Sequence, residues 1–276
     1  MSAMPAHLAF RSVATFFEER TGQHLAAARM WRVESALRNV MRENGLADMS
    51  ELVAAIERDE SGRIATATID SISNNESSFF RDAHIFTTLE EEVLPHLNAA
   101  LPDRTLRIWC AGCSTGQEAW SLAILLNRHR EMWRDWRISI VGTDVSPDAV
   151  ARARAGLYGR VDAQRGLPVA ELLCSFEPVG DQWRIAPHLR GETRFHVDNL
   201  LDPRAVPGRF DLILCRNVLL YFSPTVRSLA LSRIADRARP DTLLLLGAGE
   251  TMIGTGAPFV PSGDFRGFYR ATTTRG

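Results

Sequence analysis

The sequence predicts an α/β protein, a mainly parallel sheet with helices on both faces, preceded by a small all-α domain. Three observations carry this. Beyond residue 105, short apolar runs at 106–109, 138–142, 194–197, 210–214 and 242–246 alternate with helical patterns, the spacing of strands joined by crossover helices. Before residue 60 the apolar residues recur at helical spacing and strand patterns are scarce. The composition is that of an ordinary globular chain, with 276 residues, 45% hydrophobic, 24% charged and a formal net charge of -1. That balance excludes a disordered or fibrous chain and gives no strong field for polyanions, so nucleic acid is not an expected partner.

Taken in order, Phe10, Val13, Phe16 and Phe17 mark a first helix. Leu25, Ala28, Val33, Leu37, Val40 and Met41 mark a second, which Asn44-Gly45 stops, and Ser50 is placed to cap a third over 51–58. The polar stretch 59–70, with Ser61-Gly62, reads as a linker or inter-helix joint. Residues 1–70 are therefore expected to form a helical domain and linker, and 71–276 a second domain. Inside the latter, a strand at 106–109 leads through a turn to a helix starting at 118, and 174–187 reads as an inserted hairpin turning at Val179-Gly180-Asp181.

Several chemistries are excluded at once. All 32 basic residues are arginine, so a P-loop lysine and the Schiff-base lysine of a pyridoxal phosphate site are ruled out. The longest apolar runs, such as 243–246, fall far short of the roughly 20 residues of a membrane span. Residues 1–10 lack the pattern of a secretory signal, and the expected location is the cytoplasm. Four cysteines are too few for a disulfide scaffold in this length. Cys110 and Cys113 form a C-x-x-C that suits redox or metal chemistry in principle, but with no second pair it reads as packing in a tight loop, and no metal site is expected.

The loop after the first strand, Cys110-Ala111-Gly112-Cys113-Ser114-Thr115-Gly116, is built of small residues. Such a loop lets a ligand approach the backbone, with amide donors exposed at the helix start. Ala111 and Ser114 break the dinucleotide fingerprint, so the loop alone fits a ligand site or an ordinary tight turn equally. Asp144, at the end of the second strand, stands where an acid accepts ribose hydroxyls in open α/β sheets. Its alternative role as a helix cap is already filled by Ser146-Pro147. Loop and acid together point to an adenosine ligand. In the segment 74–82, Asn75 or Ser77 caps a helix with Phe79 and Phe80 in the core and Arg81 outside, or the segment carries polar site residues. Asn217 and Tyr221, just past the strand at 210–214, are further candidates.

Four motifs, in order, resemble the CheR family of chemotaxis receptor methyltransferases. They are Asn75-Glu76-Ser77-Ser78-Phe79-Phe80-Arg81, Ala111-Gly112-Cys113-Ser114-Thr115-Gly116-Gln117-Glu118, Gly142-Thr143-Asp144 and Cys215-Arg216-Asn217-Val218-Leu219-Leu220-Tyr221-Phe222. The resemblance implies a Rossmann-like S-adenosylmethionine-dependent methyltransferase sheet with a small antiparallel β-subdomain inserted near 174–192. It implies methylation of glutamate carboxylates on the cytoplasmic helical domain of methyl-accepting receptors, with S-adenosylhomocysteine as product. Asn75, Ser77 and Arg81 match cofactor-contacting positions, Arg81 also near the methyl-transfer centre. Glu118 and Asp144 match the acids at the methionine end and the ribose, Asn199 and Leu200 the pair beside the adenine, Asn217 and Val218 the pair closing the site, and Tyr221 a tyrosine facing the substrate.

Three departures accompany it. Glu118-Ala119-Trp120 replaces the family's usual Glu-Pro-Tyr. Arg29, Arg32, Arg38 and Arg42 share a helix with Glu34 and Glu43, which weakens the basic face that meets receptors in the family. The hairpin is shorter than in members that dock a receptor's C-terminal peptide, which argues against such tethering. A methyltransferase acting on another acceptor and a non-catalytic S-adenosylmethionine sensor remain alternatives, whereas a nicotinamide dehydrogenase lacks its loop spacing.

Overall fold

The computed structural model describes residues 4–25, 30–59, 62–203 and 208–272. Four helices come first: α1 (Ala6–Thr21), α2 (Met30–Glu43), α3 (Met49–Arg58) and α4 (Arg63–Ile72). Phe10 and Val13 of α1, Val33, Leu37 and Val40 of α2 and Leu52 and Val53 of α3 share one buried cluster. Ala28 and Arg29, read from sequence as part of the second helix, lie outside the described residues.

Two sequence expectations are corrected here. The third helix is capped by Asp48, not Ser50: the Asp48 carboxylate accepts from the Glu51 amide at 2.9 Å, while Glu51 accepts from the Ala47 amide. Asp48 and Glu51 have capping-box spacing, and the helix accordingly begins at Met49. The stretch read as a linker is mostly α4. Its β-branched residues favour helix weakly, but Thr68 is fully buried, and Ile64, Ala67 and Ile72 pack on the helical cluster, so tertiary burial decides.

Residues 83–100 form α5 (Ala83–Thr88), a π-helical turn (Leu89–Val93) and α6 (Leu94–Ala100). This helix lies outside the sequence expectations, although Phe86, Leu89, Val93 and Leu97 bury at helical spacing. Pro95 supplies no amide to the ladder, and the helix is disturbed just before it.

The main sheet has the order β6-β2-β1-β7-β8-β10-β9. Its strands are β1 (Thr105–Ala111), β2 (Arg137–Asp144), β6 (Thr193–Val197), β7 (Phe210–Cys215), β8 (Ala238–Leu246), β9 (Phe259–Pro261) and β10 (Phe268–Ala271). The first five are parallel, and the last two close the edge antiparallel. Side chains alternate between faces: Leu106, Ile108 and Cys110 of β1 join one core, Trp109 and Ala111 the other. Helix α7 (Gln117–Arg128) covers the first face and α11 (Pro224–Asp236) the second, with α8 (Pro147–Ala155) between β2 and the insert. The chain thus has the α/β fold with helices on both faces. Strand order reverses between β1 and β7, which opens a crevice at their carboxyl ends.

The inserted sheet has three strands in the order β3-β5-β4, so the expected hairpin of β4 (Phe176–Val179) and β5 (Gln182–Ile185) gains β3 (Leu157–Gly159) as a partner. It holds the segment before α5. Phe79, fully buried, meets Tyr158 and Phe176 edge-on at 5.0 and 5.3 Å. Gly166, in the loop between α9 (Arg160–Gln164) and α10 (Val169–Ser175), has φ 91° and lies so close that an added Cβ would sit 1.9 Å from the Phe79 carbonyl oxygen. Gly166→Ala combines backbone strain with that clash and should cost about 1–3 kcal/mol. The check is chemical denaturation beside cofactor titration, since the displaced element is the Asn75–Arg81 segment.

Candidate active site

One cleft of about 1000 Å³, counting its open mouth, lies at the strand-order reversal. It is walled by the loops after β1, β2, β6 and β7, by the segment 73–81 and by the end of α1. All ten residues singled out from sequence line it: Asn75, Ser77, Arg81, Glu118, Asp144, Asn199, Leu200, Asn217, Val218 and Tyr221.

The loop after β1 departs from expectation in how it uses its amides. Gly112 and Cys113 both donate to the Thr143 carbonyl at 2.8 Å, Gly116 donates to Cys113, and Ser114 donates to Asp144 Oδ2 at 2.8 Å. These four N–H groups serve the fold and not an anion, which suits a ligand without phosphates. Gly112 has φ 78°, and a Cβ there would lie 2.3 Å from Val218 Cγ2, so only glycine lets the β1 and β7 loops meet. Ser114 and Asn217 both hold positive φ, 49° and 61°, at the cleft wall. Non-glycine residues in this region concentrate where a site over-determines its backbone.

Asp144 accepts from Ser114 N through Oδ2 and from Ser146 N through Oδ1 at 3.0 Å. A carboxylate has about four lone-pair sites, so with the Val145 amide also near it Asp144 keeps capacity for a ligand hydroxyl. Burial pushes its carboxyl above the ordinary aspartate range, against the pull of the backbone amides. Ser146 caps α8 as expected, accepting from Ala149 N at 3.0 Å.

Glu118, at the start of α7, is also pushed up by burial, opposed by Arg216, which donates to Glu118 Oε2 at 2.9 Å. Cys110 and Cys113 are buried free thiols whose pKa values burial raises well above normal, so this C-x-x-C packs the loop and is not a reactive pair.

The segment 73–82 is not helical, so the reading of Asn75 or Ser77 as a cap fails. Phe79 is in the core, as that reading had it, but Phe80 is only half-buried. Ser114 Oγ donates to the Asn75 carbonyl at 2.9 Å, Arg165 donates to Glu76 Oε1 at 2.8 Å, and Arg81 Nη1 donates to the Glu76 carbonyl at 3.2 Å. Asn74 Nδ2 donates to Tyr221 Oη at 2.7 Å, joining this segment to the loop after β7. His84 is exposed and lines a neighbouring cavity with Asp82, Arg216 and Glu250.

Sequence reasoning missed several contributors. Glu250, after β8, accepts from the amides of Gly247, Asn217, Val218 and Leu220 at 2.7–3.2 Å, and so fixes the loop that carries Asn217. Thr21, the last residue of α1, and Gln23, just beyond it, line the cleft; His24 N donates to the Tyr221 carbonyl, and Asn199 Nδ2 donates to the Arg20 carbonyl. Asp70 of α4 accepts from Ser146 Oγ at 2.5 Å. A lone Glu250, or a helix end near residue 21 whose partner loop lies near residue 221, carries no local pattern.

A doubly wound sheet with an acid at the end of its second strand and a glycine loop at the strand-order reversal define an α/β protein with its ligand cleft at the carboxyl ends of the strands. Residues 75–262, more than half of the chain, match the family described as CheR methyltransferase, SAM binding domain. The chain is 33% identical over 252 residues to the chemotaxis protein methyltransferase Cher2 of Pseudomonas putida, covering 90% of this chain and 92% of that one. It is 34% identical over 248 residues to a chemotaxis protein methyltransferase of Vibrio parahaemolyticus, covering 89% and 90%. The chemotaxis protein methyltransferase 1 of Pseudomonas aeruginosa is 34% identical over 251 residues, covering 90% and 91%. The chain belongs to the CheR methyltransferase family. It is an S-adenosylmethionine-dependent methyltransferase, and the cleft fits that cofactor: the Gly112 contact leaves no room for a side chain where the β1 and β7 loops meet, and the two acids face one cavity. Among the described residues, no helix is long and apolar enough to cross a membrane.

Proposed function

We propose that the chain methylates glutamate side-chain carboxylates on the cytoplasmic helical domain of chemotaxis-type receptors, giving glutamate methyl esters. The names of relatives similar over about nine-tenths of their length support the acceptor class. The observation that carries the chemistry is that Arg81 and Tyr221 line the same cleft as the two acids.

S-adenosylmethionine supplies an electrophilic methyl on a sulfonium, which leaves as neutral thioether when the acceptor oxygen takes the methyl. A glutamate with an ordinary pKa of about 4.3 is ionised at neutral pH, so the protein has no proton to remove. Its task is alignment and exclusion of water, and orientation alone supplies roughly 7–11 kcal/mol. In this reading Asp144 holds the ribose hydroxyls, Glu118 the methionine end, Asn199 and Leu200 flank the adenine, and Asn217 with Val218 closes the site. Asn75 and Ser77 line the cofactor from the other side. Arg81 and Tyr221 orient the incoming carboxylate.

The test is incubation with methyl-labelled cofactor and a lysate of the native host. The expected result is label on a receptor, released as methanol by mild base. Label stable to base, or on a small molecule or nucleic acid, would assign another acceptor, and binding without turnover across receptor fragments would assign a sensor.

A further inference from the structure

Arg216 follows β7 directly, and its side chain is only 3% exposed. One guanidinium reaches three groups from two other parts of the chain: Nη1 donates to Glu118 Oε2 at 2.9 Å, and Nη2 donates to Asp82 Oδ2 at 2.5 Å and to the Arg81 carbonyl at 3.1 Å. Its Nε is buried with no hydrogen-bond partner among the described residues. The side chain is thus committed to two carboxylates and to the turn where Asp82 takes φ 60°. A planar fork can serve both directions at once, whereas an ammonium is a single point.

We propose that Arg216 is a positioning residue that sets both halves of the transfer site, aiming the Glu118 carboxylate into the cofactor cleft and fixing the Arg81-Asp82 turn that carries the acceptor-facing arginine. This rests on the roles given above to Glu118 and Arg81. The groups facing Glu118 are Arg216, Cys110, Cys113 and Glu250. Of these only Arg216 is a cation, and it favours an ionised Glu118 against burial more strongly than the hydrogen bond from Cys110 does. A buried charge that only held the fold together would change melting and little else. A positioning residue changes cofactor affinity, its pH profile and the order of the Asp82 turn.

The experiment uses the full chain with Arg216→Gln, Arg216→Lys and Asp82→Asn, and titrates S-adenosylhomocysteine by calorimetry from below to above neutral pH. Folded Arg216→Gln should lose about tenfold or more in affinity at neutral pH. Part of that loss should return as pH rises and the unpaired Glu118 ionises. Arg216→Lys should keep the affinity better than the turn. Asp82→Asn, altering a carboxylate one-third exposed, should fold and keep the affinity. It should show faster hydrogen exchange across residues 80–88 and a lower rate at saturating cofactor. Wild-type affinity with an unchanged pH profile in Arg216→Gln overturns the proposal, as does unchanged exchange in Asp82→Asn. If both Arg216 variants fail to fold, the Asp82→Asn exchange decides. Should the wild type transfer nothing to receptor fragments, the acceptor reading fails, while affinity and exchange still test Arg216.

Discussion

Arg81→Ala is expected to lower single-turnover methyl transfer by about 10²–10³-fold, the effect of removing a preorganised charged donor from a reacting centre. The fold should survive. Among the described residues the Arg81 guanidinium makes one exposed hydrogen bond, to the Glu76 carbonyl, and the segment beneath it is anchored instead by buried Phe79 between Tyr158 and Phe176. Cofactor affinity should fall less than the rate, because in the proposed arrangement the arginine faces the acceptor as well as the cofactor. The distinction matters physically: an arginine that bound the carboxylate as tightly before transfer as during it would not raise turnover. Arg81→Lys keeps the charge but loses the planar fork, and should recover only part of the rate. Calorimetry, melting and rapid-quench transfer on the same preparations check all three statements. A near-normal transfer rate in Arg81→Ala would remove Arg81 from the reaction.

The central strands β1, β7 and β8 were legible because they hold apolar runs bounded by turn residues, and burial on both faces leaves such strands little choice, whereas β9 and β10, three and four residues long at the sheet edge, carry too short a pattern to read. Asp144 was legible for a topological reason: the end of the second strand is a fixed place in a doubly wound sheet. What escaped is what tertiary packing alone decides. Helix α4 forms over a Thr-rich stretch because Thr68 and its neighbours bury against α2 and α8, which no local propensity records. The amides after β1 read as ligand donors, yet Thr143 and Asp144 take three of them, a partnership set by strand register. Glu250 belongs to the cleft through its bond to the distant Asn217 amide, and the Thr21–Gln23 wall through a bridge from Gln23 to Phe222 and the bond from His24 to Tyr221. The Asn75–Arg81 segment is the middle case. Its polar and aromatic letters fit a capped helix as well as a site, and the inserted sheet, by claiming Phe79, settles the backbone as non-helical.

Asp144→Ala should weaken S-adenosylmethionine binding by roughly 10²-fold, the worth of one or two hydrogen bonds to a charged acceptor. Part of that loss comes through the protein, since Ser114 N and Ser146 N lose their acceptor and the strained Ser114 loop relaxes. Asp144→Asn, which keeps one oxygen and the shape, isolates the charge. The raised carboxyl pKa adds a signed prediction. Burial, the largest cause, penalises the ionised form, and nearby Asp70 adds to it. In the proposed role of Asp144 the diol is held by the ionised form, so cofactor affinity should decline on acidification at a pH above the ordinary aspartate range. Folding has the opposite sign: a carboxyl whose folded pKa is raised costs stability above that pKa, and the cost disappears as pH falls through it. Acidification should therefore shrink the melting shift produced by the cofactor while this residue ceases to destabilise the free protein. Asp144→Ala should abolish both trends together. Calorimetric affinity unchanged in Asp144→Ala would show that the ribose is held elsewhere.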